Sequence, residues 1–250
     1  MEAMVLAAGA GTRLGPLTDQ LPKALVPVGG KPLLEWVIAN LAKAGARRII
    51  INTHHHEGMI RDFVREYGPE DIEFVFSHEP DGPYETGGGV FHAAPLFEKR
   101  SPFLLHNADV LSTIPLADLV DRHEASRHSG EERLIASLAV QDRDSRRVLL
   151  FDNLGLIGWQ NQGSDRGPDG RVQVREPVGL IRRKAFTGIH VLDPRVFDLS
   201  QRTGSFSIIS LYLELAAEGW MIQPLDVSRE KWIDVGTPER LAEARARFSY

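Results

Sequence analysis

Met4-Val5-Leu6-Ala7-Ala8-Gly9-Ala10-Gly11-Thr12-Arg13-Leu14, with Pro22-Lys23 close behind, is the stretch on which the reading of this chain turns. An apolar run leads into a loop with almost no side chains, and two cations follow at short range. Small residues let backbone N–H groups come close to a polyphosphate. Arg13 and Lys23 can then supply positive charge where a phosphoryl group is transferred. The loop departs from the two commonest phosphate-loop patterns. Gly9 and Gly11 are followed by Leu14, where a dinucleotide fingerprint places a third glycine. The Gly-Lys-Ser/Thr ending of a P-loop is absent. Gly9-x-Gly11 alone is equally compatible with a plain turn. The longer order is far more specific: Gly11-Thr12-Arg13-Leu14, then Pro16-Leu17-Thr18, then Pro22-Lys23-Ala24-Leu25-Val26-Pro27-Val28.

Composition sets the class. The chain has 250 residues, 42% hydrophobic and 25% charged, which suits one well-packed domain with a lobe added to its core. A net charge of −5 and the lack of a long Lys/Arg block argue against nucleic acid or an anionic membrane as partner. There is no cysteine, so disulfides and thiolate chemistry are excluded. No apolar run reaches the ~18 residues of a membrane span, and the N-terminus lacks the charged-then-apolar pattern of a secretory signal. The expectation is a cytoplasmic protein, monomer or homodimer.

Strand and helix signals alternate through the first half. Strands are expected at 3–7, 48–52, 72–76 and 103–106. Helical spacing marks 31–44, 60–67, 90–97 and 116–123, with Pro32 in a first turn and Gly45 as a stop. Such alternation implies an α/β fold: a mostly parallel sheet with helices on both faces. Ligands of such sheets bind beyond the carboxyl ends of the strands, where the glycine loop, Glu85 and Asp109 fall. The second half is less regular. Strands are expected at 134–140, 148–151 and 186–192, and helices at 208–217 and 238–248, the last capped by Thr237. The polar, glycine-rich stretch 161–171 reads as a surface loop or hairpin tip. These later segments are expected to form a lobe over the mouth of the sheet.

Several constellations can carry chemistry. Asp109 ends an apolar strand, where an aspartate can reach a cation; Mg²⁺ asks for one or two carboxylates plus phosphate oxygens. The plainer reading is a turn acid. Asp234, in Trp232-Ile233-Asp234-Val235-Gly236-Thr237-Pro238, lies between apolar residues and needs a partner. A shared Mg²⁺ would satisfy both acids; so would a structural hydrogen bond before the Gly236 turn. Tyr84-Glu85-Thr86-Gly87-Gly88-Gly89-Val90 opens a helix whose free N–H groups favour an anion or carbonyl. Glu85 can accept from a sugar hydroxyl or base, or simply favour the helix start. His54-His55-His56 resembles a zinc cluster, but consecutive side chains point apart, so it reads as a strand-to-helix loop. Arg146-Arg147 and Arg182-Arg183-Lys184 are short basic runs of the kind usually solvated.

Taken together, these residues resemble the sugar-1-phosphate nucleotidylyltransferase family. The signature from Leu6 to Pro32 is specific to it. Glu85-Thr86-Gly87-Gly88-Gly89-Val90-Phe91, Phe186-Thr187-Gly188-Ile189-His190 and Trp232 to Ala244 resemble a uridylyltransferase subgroup. The resemblance implies a Rossmann-like sheet: a nucleotide-binding core over 1–130 and a sugar-binding lobe with closing elements over 131–250, all within one nucleotidyltransferase domain. It implies that Arg13 and Lys23 are catalytic and that Asp109 and Asp234 hold Mg²⁺. Leu6, Ala7, Ala8, Gly9, Gly11, Thr12, Gly87 and Gly88 would bind the nucleotide. Glu85, Asn107, Thr187 and Gly188 would face the sugar.

The partners so implied are a nucleoside triphosphate and a sugar 1-phosphate, in particular UTP and N-acetylmuramate 1-phosphate in peptidoglycan recycling. A guanylyl- or other nucleotidyltransferase for a heptose or hexose 1-phosphate is the rival. A catalytically silent nucleotide-sugar-binding regulator is the alternative from another class, though it would be expected to have lost a cation or a metal acid. Three departures from the family pattern stand out. Ala108 replaces the glycine of the usual Asn-Gly-Asp. Arg175-Glu176-Pro177 stands where larger relatives carry Glu-Lys-Pro for the sugar phosphate, which leaves that cation unassigned. The segment 143–184 is longer than expected. No further acyltransferase domain is expected after the terminal helix.

Overall fold

The N-terminal apolar run forms strand β1 (Glu2–Leu6), and its alternate residues face two different cores. Ala3 and Val5 belong to one buried cluster and Met4 to another. A strand apolar on both sides must be covered on both sides, which is the pattern of a central parallel strand. The computed structural model describes residues 1–161 and 170–248. Most of the stretch expected as a loop at 161–171 lies outside the described residues.

The strands after β1 are β2 (Pro27–Val28), β3 (Lys31–Pro32), β4 (Arg48–Thr53), β5 (Glu73–His78), β6 (Phe103–Asn107), β7 (Val110–Ser112), β8 (Leu134–Gln141), β9 (Arg147–Asp152), β10 (Gly155–Asn161), β11 (Arg171–Gln173), β12 (Arg182–Leu192), β13 (Met221–Asp226) and β14 (Trp232–Asp234). The helices are α1 (Leu17–Gln20), α2 (Leu33–Lys43), α3 (Glu57–Tyr67), α4 (Glu85–His92), α5 (Leu116–His128), α6 (Val196–Leu199), α7 (Ile208–Ala217) and α8 (Pro238–Arg247).

The main sheet runs β5-β4-β1-β6-β12-β8-β13. All neighbours are parallel except β12, which is antiparallel to both β6 and β8. The N-terminal end of β12 bends away to pair with β9, which carries β10 and β11 as a smaller antiparallel extension. The sheet therefore crosses residue 130, and the second half of the chain completes it with β8, β12 and β13. Helices α2, α3 and α5 cover the face of Val5 and Ile51; α4 and α7 cover that of Met4 and Ile50. The α/β class with helices on both faces is borne out.

The differences from the sequence expectations are local. Lys31 and Pro32 form the short strand β3, not a helix start, because Pro32 is extended and the Leu33 N–H donates to Val26 O. Helix α4 opens at Glu85 as the glycine segment suggested, but it ends at His92, short of the helical spacing read to 97, and a 3-10 turn at Ala94–Leu96 follows. Strands β7, β10, β11 and β13 were missed; the Pro224 of β13 is tolerated because β13 is an edge strand. Thr237 caps α8 as expected, its side chain accepting from Arg240 N.

Three buried histidines set an acid limit on this core. Burial pushes His106 and His123 down to about 4 and His190 down to about 3. In the unfolded chain each takes up a proton near pH ~6.5, whereas the folded form resists protonation until nearer pH 4. The unfolded state thus binds more protons in that window, so stability falls as pH falls. Denaturant titrations should show unfolding free energy dropping from about pH 6.5 to pH 4, by up to ~1.4 kcal/mol per pH unit for each histidine. His190→Phe should flatten that slope.

Candidate active site

β1 ends at Leu6, and the chain turns through Ala7–Gly11 into a 3-10 turn at Thr12–Leu14. Gly11 sits at φ 67°, and a Cβ there would stand 3.1 Å from Lys23 Cβ. Its bare backbone lets Lys23 pass directly beside the loop. A Cβ on Gly9 would meet nothing within 4 Å, so that glycine faces open space. The N–H groups of Gly9, Ala10 and Gly11 have no acceptor among the described residues and are free for an anion. Those of Ala7 and Ala8 are not free: both donate to Asn52 Oδ1, at 2.6 and 3.3 Å. Both residues nevertheless line the cleft.

That cleft, of about 340 Å³, is lined by Leu6, Ala7, Ala8, Gly9, Gly11, Thr12, Arg13, Lys23, Glu85, Asn107 and Asp109, all anticipated from sequence. Asn52, Glu79, Pro83, Thr86, Ala108 and Gly236 complete the lining. A larger cavity of about 420 Å³ between α2, β7 and Phe248 has Lys43 but neither a carboxylate nor the glycine loop. The smaller cleft, with cations, an acid and free N–H groups together, is the one equipped for phosphate chemistry.

Lys23 makes an ion pair with Asp109 across the cleft. Asp234 is brought to the same place by backbone pairing: β14 runs antiparallel to β7 with Asp234 opposite Val110, and Val235 N donates to Asp109 O at 2.8 Å. Asp234 Oδ1 accepts from Arg240 at 3.1 Å. A Cβ on Gly236 would lie 3.1 Å from Arg13 Nη2 and 3.3 Å from Asp234 Oδ2. Glycine there keeps open the space where the Arg13 guanidinium and the second carboxylate come together.

Among the described residues no three His, Cys, Asp or Glu side chains converge on one point. The histidine run is not a metal site: His54 Nδ1 hydrogen-bonds Glu79 O, and His56 turns into α3 with φ 57°. Asp109 and Asp234 do offer a hard, oxygen-only pair beside a phosphate-sized cleft. Asp109 Oδ1 and Asp234 Oδ2 make no hydrogen bond among the described residues. That donor set fits Mg²⁺ provided substrate phosphates and water supply the remaining ligands.

Four residues expected at the ligand are engaged in packing within the protein. The N–H groups of Gly87 and Gly88 both donate to Phe206 O, at 2.8 and 3.1 Å. A Cβ at Gly87 would strike the Phe206 ring at 2.4 Å, and one at Gly88 would strike Gly204 O at 2.2 Å. These glycines let α4 press against the segment before α7 and leave no donor for a nucleotide. Thr187 is 1% exposed, and its hydroxyl donates to Ala139 O. Gly188, at φ 80°, abuts the Asn107 amide, 2.5 Å from where its Cβ would be. It shapes the Asn107 position. Glu85 stays exposed on the cleft rim with φ 58°, a strained conformation that often marks a working residue.

The sequence reading missed Asn52 and Glu79. Glu79 is fully buried, and its carboxylate accepts from Asn52 Nδ2 and from Tyr84 N, each at 2.7 Å. A Cβ on Gly89 would lie 2.6 Å from Glu79 and 2.7 Å from Asn52, so this glycine makes room for the pair. One buried carboxylate thus ties the glycine loop, through Asn52, to the 80–85 loop. An asparagine at the end of the Ile49-Ile50-Ile51 run was the available signal.

Comparison with known proteins agrees with this geometry. Residues 2–149 match the family described as nucleotidyl transferase. The chain belongs to that family. It is 33% identical to an N-acetylmuramate alpha-1-phosphate uridylyltransferase of Neisseria meningitidis serogroup B, over 98% of this chain and 97% of that one. It is 28% identical to mannose-1-phosphate guanyltransferase beta-B of Xenopus laevis, over 96% of this chain and 62% of that protein. A UDP-glucose pyrophosphorylase from Acinetobacter baumanii shares the fold, with a TM-score of 0.75 at 17% identity, covering 99% of this chain and 93% of that one. The chain is a sugar-1-phosphate nucleotidylyltransferase.

The buried bridge makes a distinct prediction. Asn52→Leu strands the Glu79 carboxylate and the Ala7 N–H, and an unpaired buried group costs about 1–3 kcal/mol. Thermal unfolding should shift down, and KM for the nucleotide should rise about tenfold or more as the loop loosens. A wild-type KM in this variant would show that the bridge does not position the loop.

Proposed function

We propose that the chain transfers a uridylyl group from UTP to N-acetylmuramate 1-phosphate, releasing pyrophosphate, as a step of peptidoglycan recycling. The observation that carries the reaction is the meeting of Arg13, Lys23 and Asp109 with an open glycine loop in one cleft. The choice of substrates rests on similarity to a uridylyltransferase along nearly the whole of both chains.

The chemistry needs no protein nucleophile. The attacking sugar-phosphate oxygen is already anionic, and the barrier is the approach of two polyanions. The N–H groups of Gly9, Ala10 and Gly11 receive phosphate oxygens. Arg13 neutralises the pyrophosphate as it departs. Lys23 leaves its ground-state partner Asp109 to bridge the phosphates at the reacting centre. Asp109 and Asp234 would hold Mg²⁺, which when bound supplies charge neutralisation and orients the triphosphate. Asn107, fixed against Gly188, and the strained Glu85 present polar groups to the sugar and nucleoside.

A second reading is a guanylyltransferase acting on a hexose or heptose 1-phosphate. The likeness to mannose-1-phosphate guanyltransferase favours it, though this chain spans only 62% of that relative. Pyrophosphate release measured over a matrix of nucleoside triphosphates and sugar 1-phosphates decides between them. UTP with N-acetylmuramate 1-phosphate should give the highest kcat/KM; activity confined to GTP with a hexose or heptose phosphate overturns the uridylyl assignment. Lys23→Ala and Asp109→Ala should each retain the fold by circular dichroism. Each should lower kcat by at least about 10²–10³, the usual cost of losing a charge contact at the reacting centre.

A further inference from the structure

Arg143, two residues past the end of β8, is half-buried, and no carboxylate pairs with its charge among the described residues. Its guanidinium lies 3.9 Å from the centroid of the Trp232 ring. Nη2 donates to Phe186 O at 3.0 Å, and Nε is buried without a partner. Three other cations of this lobe are engaged. Arg175, of the Arg-Glu-Pro triplet, is held by both oxygens of Asp152 at 2.7 Å. Lys184 is clamped between Asp142 and Asp226, at 2.8 and 2.5 Å. Arg240 divides itself between Asp234 and Glu243.

Its position is tied to the cleft by a short chain of contacts. Trp232 and Asp234 are two apart on β14 and so present their side chains to the same face. The Trp232 indole N–H donates to Thr187 O at 2.8 Å. Thr187 adjoins Gly188, against which the cleft residue Asn107 packs. Burial lowers the Arg143 pKa, the Asp234 carboxylate opposes that shift, and Arg240 adds to it. Arg143 therefore stands among the groups around Asp234, on the side built by the second half of the chain.

A desolvated guanidinium is costly unless an anion arrives to pair with it. Stacking on Trp232 offsets part of that cost and fixes the plane of the fork. A planar fork with spare donors suits a phosphate better than a single carbonyl does. The glycine loop, Arg13 and Lys23 serve the nucleotide from the first half of the chain. The second anion must meet it from the opposite side. We propose that Arg143 grips the phosphate of the incoming sugar 1-phosphate. This rests on the reaction proposed above, and it assigns the role to a guanidinium with no carboxylate to give up, whereas Arg175 is held by both oxygens of Asp152.

Steady-state kinetics of the full chain test it, with Arg143→Gln, Arg143→Lys and the best substrate pair from the matrix. KM for the sugar 1-phosphate should rise about tenfold to a hundredfold in Arg143→Gln, as expected for a lost charge-assisted contact. KM for the nucleotide should change by less than about twofold, since other groups hold it. Inorganic phosphate, competing with the sugar 1-phosphate, should inhibit the variant correspondingly less. Arg143→Lys should recover part of the loss. A sugar 1-phosphate KM unchanged in a folded Arg143→Gln, or equal rises in both KM values, overturns the proposal. If wild type turns over no pair in the matrix, the reaction assignment fails separately. Calorimetric titration of inorganic phosphate into wild type and Arg143→Gln then decides for Arg143: weaker binding in the variant supports it, and equal binding refutes it.

Discussion

The short antiparallel pair β7–β14 is the constraint on which the site depends. It places Asp234 opposite Val110 and seals the register with Val235 N donating to Asp109 O. Two acids from distant parts of the chain are thereby set beside one cleft. Each acid has a cation at hand: Lys23 on Asp109, Arg240 on Asp234, with the Arg13 guanidinium beside Gly236. The protein thus holds a balanced set of charges that a metal-bound triphosphate can rearrange. In the proposed reaction Lys23 would exchange its carboxylate partner for a phosphate within the same cleft. The groups need no large movement, which is how electrostatic preorganisation lowers a barrier.

A second layer of order sits beneath the cleft. The Asn52–Glu79 bridge fixes the glycine loop from below, using N–H groups that would otherwise have been thought available to the nucleotide. Glycine serves opposite purposes in this structure. Gly9 faces empty space, whereas Gly87, Gly88 and Gly89 are crowded by Phe206, Gly204, Glu79 and Asn52. The first kind leaves room for a ligand, and the second leaves room for the protein itself. The antiparallel strand β12 joins the two halves. Its register shift between Phe186 and His190 puts Gly188 against Asn107 and gives Arg143 a carbonyl to hold.

Much of this was legible beforehand. Apolar runs and helical spacing marked β1, β4, β6, α2, α3 and α7, because burial on both faces of a parallel sheet writes itself into local composition. The phosphate loop and its cations were legible for the same reason: Gly11, Arg13 and Lys23 are close in sequence, and their chemistry is local. The packing engagements of Gly87, Gly88, Thr187 and Gly188, and the two bridging residues that were missed, were hidden for one cause. Whether a backbone N–H or a hydroxyl is free depends on what packs against it, and Phe206, Ala139 and Asn52 come from elsewhere in the chain.

By itself, then, the amino-acid order determined the class of fold, the glycine loop after β1, and the identity of charged residues that line the cleft beside it. These follow from periodicity and from the chemistry of neighbouring side chains. Only the tertiary structure decided which donors stay open, which elements bring the two acids together, and that the half-buried Arg143 guanidinium has no carboxylate partner among the described residues. Those properties belong to pairs of residues brought together by sheet registry, and nothing in either member of a pair names its partner.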